Sequence, residues 1–192
     1  MFRDLVATNR SYRRFFEEVE IEREVLLTLV DYARITPSGA NKQALKYYIA
    51  SDRELNAKIF DTLAWAGYLK DWSGPVAGER PSAYIIIVQD KNYKMVTTFD
   101  AGIAAQTILL GATEMGLGGC MIGNIKHAQL QTVLSLPDDL EIVLAIALGK
   151  PKETVVIEEM KSNDDIKYWR DEQQVHHVPK RQLQDIVINW PE

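Results

Sequence analysis

The most apolar long segment of the chain, residues 99–117, limits the folds that are open to it. The segment reads FDAGIAAQTILLGATEMGL and carries Asp100, Gln106 and Glu114. A helix that spans a membrane rarely contains such groups, because charged side chains are costly in hydrocarbon. A helix that is apolar on nearly all sides instead packs at the centre of a soluble fold. We therefore expect a central buried helix and no membrane span.

Several shorter segments have the patterns of strands and helices around this core. Residues 45–50, 83–89 (AYIIIVQ) and 141–148 (EIVLAIAL) are apolar and rich in β-branched residues, which is typical of buried strands. Helical spacing predicts a helix over residues 22–34, a second that starts after Asp52 and reaches residue 64, and a short one over 126–134. Without a strict strand–helix–strand repeat, this order favours an α+β fold, a sheet packed against helices.

Length and charge narrow the class of protein. With 192 residues, the chain is expected to form a single domain, residues 1–192. Residues 152–192 are polar and form a C-terminal extension, with a weak helical pattern over 178–190. The net charge of −5 and a pI of about 5.3 argue against nucleic-acid binding and against docking on an anionic membrane.

The cysteine and histidine content bears on compartment and metals. Cys120 is the single cysteine, so no disulfide can form within the chain, as is common in a reducing compartment. The N-terminus MFRDLVATNR has no long apolar core, and we expect no signal peptide and a cytoplasmic protein. Three histidines and one cysteine give no metal-ligand cluster.

The N-terminal segment gathers positive charge in an acidic chain. Arg10, Ser11, Arg13 and Arg14 lie within five positions, directly before an acidic run. Arginine suits phosphate, because its planar guanidinium donates two charge-assisted hydrogen bonds, and a serine adds a short donor. The alternative is a solvated surface on which the arginines pair with nearby glutamates.

Two small-residue segments are candidates for close approach to a ligand. Residues 37–43 (PSGANKQ) offer Ser38, Asn41 and Gln43 as donors and acceptors for a planar heterocycle. Residues 116–123 (GLGGCMIG) bring glycines to the end of the apolar helix, so that the backbone amides of Ile122 and Gly123 can face a ligand. The alternatives are an ordinary connecting loop and a helix C-cap.

The order and spacing of these motifs are more specific than any one of them. An Arg-Ser-x-Arg element is followed by Pro-Ser-x-x-Asn-x-Gln, then by a helix starting Asp-x-Gly-x-Ala-x-Gln, then by Gly-Leu-Gly and Met-Ile-Gly. A strand ending in Leu-Gly-x-Pro and a Lys/Arg pair come last. Along nearly the whole chain, about residues 5–187, the sequence resembles the FMN-dependent nitroreductase family.

The resemblance implies a role for each motif. Arg10, Ser11 and Arg13 match the segment that holds the FMN phosphate and ribityl chain, and Lys180 and Arg181 match C-terminal bases that reach the same phosphate. Arg14 is left as a structural residue or a helper. The loop with Ser38, Asn41 and Gln43 matches the segment along the flavin. Ile122 and Gly123 match the backbone that faces flavin N5.

The resemblance also implies an architecture and an activity. The fold would be a central, mainly antiparallel sheet flanked by helices, in a homodimer with FMN at the subunit interface and the C-terminal extension wrapped around the partner. The activity would be ping-pong transfer of hydride from NADH or NADPH, through flavin N5, to an electron-poor acceptor such as a nitroaromatic or a quinone. No side chain is then an indispensable acid or base.

Some positions differ from the family pattern and bear on substrate preference. Asn9 replaces a frequent arginine, Ala44-Leu45 replaces Pro-Trp, and Lys150 replaces an aromatic residue. The segment 65–72 (WAGYLKDW) is expected near the flavin, where Trp65, Tyr68 and Trp72 are candidates for stacking on a flat substrate. The alternative is that these aromatics are local core and loop anchors. The physiological acceptor, the choice between NADH and NADPH, and the flavin potential are not determined by these residues.

Two other functions stay open. One is a non-catalytic module that binds or senses a flavin or nucleotide. The other keeps the fold but changes the reaction to reductive dehalogenation or an enoate-type reduction.

Overall fold

The computed structural model describes residues 1–93, 97–161 and 165–189, without the side chains of residues 97 and 98. It divides into two compact units. The first unit comprises residues 1–65 and 73–152, and the second comprises residues 66–72 with the described part of residues 153–192. The expectation of one domain over residues 1–192 stays a prediction.

The first unit contains all five helices that the structure describes and five of its eight strands. The helices are α1 (Phe2–Thr8), α2 (Arg23–Arg34), α3 (Arg53–Phe60), α4 (Thr97–Glu114) and α5 (His127–Val133). The strands are β1 (Phe15–Phe16), β2 (Leu45–Ala50), β3 (Ala83–Asp90), β4 (Gly118–Ile122) and β5 (Leu140–Pro151). The second unit contains β6 (Val155–Glu159), β7 (Trp169–Arg170) and β8 (His176–Lys180).

The sheet of the first unit is antiparallel throughout. Its strand order is β1-β5-β3-β2, and β4 also pairs with β5. The long strand β5 therefore holds β1, β3 and β4 together, with Phe15 opposite Pro151 and Gly118 opposite Gly149. This arrangement confirms the expected α+β fold with a mainly antiparallel sheet.

Helices α2 and α4 cover one face of this sheet. Side chains from both helices share a buried cluster with Ile85 of β3 and with Ile146 and Leu148 of β5. Strand β3 is buried at every residue from 83 to 88, so its other face is covered as well. Burial on both faces explains why β3 is a continuous apolar run instead of an alternating one.

Helix α4 is central, as expected, but it is not buried on all sides. Ala104, Ala105 and Ile108 pack into the core, whereas Phe99 is 81% exposed and Ile103 is 42% exposed. The helix thus has a second apolar face that is exposed among the residues that the structure describes. Within the described residues, no helix is long and apolar enough to cross a membrane.

Three local features differ from the sequence-based expectations. Helix α1 was not predicted, and α3 ends at Phe60 rather than near residue 64. The weak helical pattern over residues 178–190 is wrong for its described part, because residues 176–180 pair in parallel with β6 and only a 3-10 turn follows, at Leu183–Asp185. Here the hydrogen bonds of a neighbouring strand outweigh a weak local preference. Trp190 lies outside the described residues.

Candidate functional site

The N-terminal basic segment is attached to strand β4 through the backbone. Ser11 forms an isolated parallel bridge with Gly119, and the backbone N–H of Tyr12 donates to the carbonyl of Gly119 at 3.0 Å. A Cβ at Gly119 would collide with the carbonyl oxygen of Ala147, and one at Gly118 would lie 2.5 Å from Cδ2 of Tyr12. Gly118 therefore permits the close approach of Tyr12 to β4, and Gly119 permits the close packing of β4 on β5.

Asn9 anchors the same segment to α4. Its side chain is 8% exposed, its Nδ2 donates to Oγ1 of Thr113 at 3.0 Å, and its Oδ1 accepts from Gln106 at 3.4 Å. The residue that departs from the usual arginine thus has a structural role here. An arginine at this position could not make the same pair of amide contacts in the same space.

The arginines of the segment have different surroundings. Guanidinium nitrogens of Arg10 donate to the carbonyls of Asn9 and Val6, and so cover the C-terminal end of α1. A guanidinium nitrogen of Arg13 donates to the carbonyl of Ser11 at 3.3 Å. Through these contacts both arginines are tied to backbone carbonyls of their own segment.

Arg14, in contrast, is part of a structural ion-pair group. Its Nε and one terminal nitrogen donate to the two carboxylate oxygens of Glu79 at 2.6 and 2.7 Å, and Lys152 adds a contact at 3.1 Å. The hydrogen bond from Arg14 is the main reason that the pKa of Glu79 falls from 4.5 to about 2. Arg14 therefore belongs to the scaffold, the first of the two roles left open for it.

The loop of residues 38–43 has an unusual backbone. Ala40, Asn41 and Gln43 all have positive φ, at 50°, 53° and 50°. Residues other than glycine adopt this region at a cost of about 1–3 kcal/mol each, and such strain is concentrated at functional sites. Ser38 helps to hold this conformation, because its Oγ accepts from the backbone N–H of Gln43 at 3.3 Å.

Asp100, at the start of α4, fixes this loop and was not assigned a role from the sequence. It is 5% exposed, and its Oδ1 accepts from the backbone N–H of Gly39 at 3.0 Å. Its Oδ2 is buried without a hydrogen-bond partner among the described residues. The residue also belongs to the lining of a cavity of about 160 Å³, together with Ser38 and Gln43. The sequence did contain one signal for this role, namely an acidic residue within the most apolar helix.

The backbone of Ile122 and Gly123 ends strand β4. Ile122 pairs with Ala145 and is buried, whereas Gly123 lies just beyond the last pair and is exposed. A Cβ built on Gly123 meets no atom within 4 Å. The chain here offers open space next to main-chain groups, as a ligand that approaches the backbone would require.

The structure brings some of the predicted cofactor residues together and separates others. The Arg-Ser segment and β4 are adjacent, and they meet α4 at Gln106 and Thr113. The loop of residues 38–43 meets α4 at Asp100. At 1.5 Å per residue, these points on α4 are about 9–20 Å apart along the helix axis. Lys180 and Arg181 lie in the second unit, at the exposed end of β8.

The three aromatic candidates fall in different environments. Trp65 is 8% exposed in the first unit and packs against Phe60, with ring centroids 5.6 Å apart, as the local-anchor alternative describes. Trp72, in the second unit, has the guanidinium of Arg170 over its ring at 4.3 Å. Tyr68 is 47% exposed and packs on Tyr168, with centroids 5.0 Å apart. Of the three, Tyr68 has the largest exposed surface for a substrate.

Comparison with known proteins places the chain in a family. A model of the nitroreductase family matches residues 6–150. This protein belongs to the nitroreductase family. The family membership confirms the resemblance drawn from the motifs and supports an oxidoreductase.

Three relatives show the range within this family. An FMN reductase (NADPH) from Bacillus subtilis is 26% identical over 163 residues, which cover 77% of this chain and 65% of that protein. An iodotyrosine deiodinase from Haliscomenobacter hydrossis is 26% identical over 181 residues, covering 79% and 80%. The solved structure of an FMN-dependent nitroreductase from Clostridium difficile is 25% identical and superimposes with a TM-score of 0.64, covering 84% of this chain and 91% of that one.

Proposed function

We propose that this nitroreductase-family protein is an FMN-dependent NAD(P)H oxidoreductase that reduces an electron-poor small molecule such as a nitroaromatic or a quinone. The observation that carries the proposal is the backbone bridge between Ser11 and Gly119. This bridge joins the Arg-Ser segment, which carries guanidinium and hydroxyl groups, to strand β4. Strand β4 ends next to Gly123, whose backbone is exposed. Four residues of extended strand span about 13 Å, which suits a ligand with a phosphate at one end and a ring system at the other.

The residues present fit FMN. Arg10, Ser11 and Arg13 would hold the phosphate and ribityl chain, because guanidinium and hydroxyl groups are the donors that phosphate prefers. The backbone at Ile122 and Gly123 would border the reactive edge of the ring. The open space at Gly123 is the structural observation that favours this placement.

The remaining contacts would come from two further segments of the proposed site. Ser38, Asn41 and Gln43 would contact the flavin ring, and their strained loop supports a preformed surface. Lys180 and Arg181, at the end of β8, would add charge near the phosphate in the assembled enzyme.

The site would be completed by two copies of the chain. The loop of residues 38–43 and the Arg-Ser segment meet α4 at points about 9–20 Å apart. Two exposed apolar residues of α4 lie near these points: Phe99 directly precedes Asp100, and Ile103 lies between Asp100 and Gln106. Both would be buried in a homodimer. The FMN would then bind at the subunit interface, with the C-terminal extension wrapped around the partner.

The chain's own contribution is binding, orientation and exclusion of water. Bound FMN supplies the two-electron chemistry that links NADH or NADPH to the acceptor. Backbone donors near Gly123 would orient the ring edge, and the arginines would neutralise the phosphate. No acidic or basic side chain is needed to move a proton to the acceptor. In the ping-pong order, the oxidised nicotinamide leaves the site before the acceptor enters it.

The visible spectrum of the purified protein tests the cofactor, with the released chromophore identified by mass. Flavin bands and one FMN per chain, followed by NADH or NADPH oxidation that depends on a nitroaromatic or a quinone, are the expected results. A protein that neither contains nor binds FMN would overturn the proposal. Bound FMN without any NAD(P)H oxidation would favour the non-catalytic module.

Reductive dehalogenation is a second candidate, because one relative is named an iodotyrosine deiodinase. Halide release from an iodinated or brominated phenol, measured with reduced FMN enzyme, would identify this activity. Reduction of nitroaromatics without halide release would support the first proposal. A cytoplasmic location, expected from the single cysteine and the N-terminus, stays a prediction for either activity.

A further inference from the structure

His177, in strand β8 of the second unit, lies between two carboxylates. Its Nδ1 is 2.6 Å from Oε1 of Glu158 on β6, and its Nε2 is 3.2 Å from Oδ2 of Asp171, the residue directly after β7. The side chain of His177 is 16% exposed, so its ring is largely shielded from water. None of these three residues belongs to the proposed cofactor or substrate site.

Contacts with two carboxylates require a proton on both ring nitrogens of His177. A neutral imidazole has one N–H donor and one acceptor nitrogen, whereas the imidazolium ion has two donors. In a neutral ring, the acceptor nitrogen would face a carboxylate oxygen, and their lone pairs would repel each other. The geometry of the cluster therefore matches the imidazolium form.

Trp169 on β7 favours the same protonation state. Its ring stacks on the imidazole of His177, with centroids 4.1 Å apart and an angle of 8° between the planes. The face of an aromatic ring attracts a cation. Trp169 is also the residue that pairs with His177 between β7 and β8. From its place in β8, the imidazolium thus contacts both neighbouring strands and the turn that follows β7.

Asp171 is held in position by the turn of residues 171–175. Its Oδ1 accepts from the backbone N–H of Val175 at 2.8 Å, and its own backbone N–H donates to the carbonyl of Val175 at 3.1 Å. These bonds do not depend on the charge of His177. They keep the other carboxylate oxygen beside Nε2, so a ring that loses its proton must give up one of its two contacts.

Glu158 from β6 and Asp171 from the turn are the ionisable groups that face the ring among the described residues. Burial of the ring acts to lower the pKa of His177. The hydrogen bonds and negative charges of the two carboxylates outweigh burial, so the pKa is raised above 6.5. The stabilisation from this cluster is therefore complete below pH 6.5 and is lost as the pH rises through the raised pKa.

We propose that His177 is a pH-sensitive switch of the second unit: its imidazolium joins β6, β7 and β8, and its deprotonation loosens this sheet. Strand β8 ends at Lys180. If the proposed function is correct, the positions of Lys180 and Arg181, which it assigns to the FMN phosphate, would depend on pH. The switch itself consists of protein groups only, so it can be tested by measurements that do not involve the cofactor.

The titration of His177 in the purified full-length protein is the first test. NMR of the imidazole C–H protons, assigned with the variant His177→Gln, should give a pKa above 6.5. Hydrogen exchange of the backbone amides of residues 155–159 and 169–180 should then show less protection as the pH rises through this value. Linkage requires a tenfold loss of protection for each pH unit by which the folded pKa exceeds 6.5. A pKa at or below 6.5, or protection that is independent of pH, would overturn the proposal.

Two variants with matched controls test whether this cluster is responsible. Glu158→Gln removes one negative charge at a partly exposed position, so it should lower the pKa of His177 and reduce the loss of protection. Glu159→Gln, on the opposite side of the same strand, should behave as wild type. His177→Gln should abolish the pH dependence, whereas His127→Gln, at the exposed start of α5, should keep it. Full wild-type pH dependence in Glu158→Gln or in His177→Gln would show that the proposal is wrong.

Discussion

Three arginines within five positions of the N-terminal segment have different partners in the folded chain. Arg10 and Arg13 donate to backbone carbonyls, while Arg14 makes two short bonds with Glu79. The carboxylate of Glu79 neutralises the charge of Arg14, whereas the carbonyl contacts of Arg10 and Arg13 tie these two residues to their own segment. The arginines of this segment thus have two roles: Arg14 stabilises the scaffold, and Arg10 and Arg13 are the proposed phosphate ligands.

We expect Arg10→Ala and Arg13→Ala each to weaken FMN binding about tenfold to a hundredfold. Each variant should remove a charge-assisted contact worth about 1.5–3 kcal/mol. FMN titration followed by fluorescence quenching measures the effect. Arg14→Lys is the matched control: it should keep FMN affinity but lower Tm, because one of two bonds to Glu79 is lost. Unchanged FMN affinity in both alanine variants would contradict the assignment of the segment.

Glu79→Gln should lower the free energy of unfolding at pH 7 by about 1.5–3 kcal/mol, because it removes the charged partner of Arg14. The pKa of Glu79 is depressed from 4.5 to about 2. Its contribution is therefore complete above pH 4.5 and is lost as the pH falls from 4.5 to 2.

Urea unfolding at pH 7 and across this acidic range measures both effects of Glu79→Gln. The variant should lose less stability than wild type between pH 4.5 and 2. Glu18→Gln, at an exposed position, is the control and should follow wild type. A variant with wild-type stability at pH 7 would show that the ion-pair group is not stabilising.

At the scale of elements, the loop of residues 38–43 is held in a conformation that its own residues do not favour. Three of its non-glycine residues have left-handed backbone angles. The loop keeps this shape because Asp100 accepts from Gly39 and Ser38 accepts from Gln43. Tertiary contacts thus offset local strain, which is common where a loop must present a fixed surface.

Ala40→Gly and Ala40→Val should have opposite effects on stability. Glycine relieves the positive φ of 50°, so stability should stay the same or rise by up to about 1 kcal/mol. Valine is β-branched, and in this region it should lower stability by about 1–3 kcal/mol. Thermal unfolding of both variants measures the difference. Equal Tm values would mean that the loop is not strained at Ala40.

At the scale of the whole molecule, one apolar face of α4 is exposed within the described part of the first unit. Phe99 is 81% exposed and Ile103 is 42% exposed, and they lie one turn apart. Exposed apolar residues in contiguous positions typically mark an interface. The proposed dimer would cover this face and bring the two parts of the FMN site together.

Phe99→Asp should convert the proposed dimer to a monomer and lower the FMN content of the purified protein, because the charge would be buried at the interface. Light scattering during size exclusion, with absorbance at 450 nm, gives both values. Val76→Asp, at a 64% exposed apolar residue of the same unit, is the control and should stay dimeric. A Phe99→Asp protein that remains dimeric with full FMN would contradict the placement of the interface.

Much of the fold of the first unit was predictable because its strands and helices bury strongly patterned faces. Residues 45–50 form β2 exactly as their apolar pattern predicted, and the apolar run from residue 83 forms β3. Helix α1 was missed, since it buries none of its residues and so shows no core-facing pattern. Strand β8 was missed because its pairing with β6 depends on residues 21 positions away.

The candidate site was only partly predictable for a similar reason. Motif order gave the loop with Ser38 and the end of β4 as candidates, and residue chemistry added Arg10 and Arg13; their roles toward FMN stay predictions. The roles of Asp100 and Asn9 depend on contacts across 61 and 104 positions, which no local pattern reveals. Glu79, the partner of Arg14, lies 65 positions away and was likewise not foreseen.

The amino-acid sequence by itself determined the family, the main elements of the first unit and the residue types available for an anionic cofactor. These follow from hydrophobic periodicity and motif order, which are local properties of the chain. Only the tertiary structure decided that Arg14 pairs with Glu79, that Phe99 and Ile103 of α4 are exposed, and that Asp100 holds the loop of residues 38–43. Those features depend on contacts between distant positions, where packing and hydrogen-bond partners, rather than neighbours in sequence, set the energy of each group.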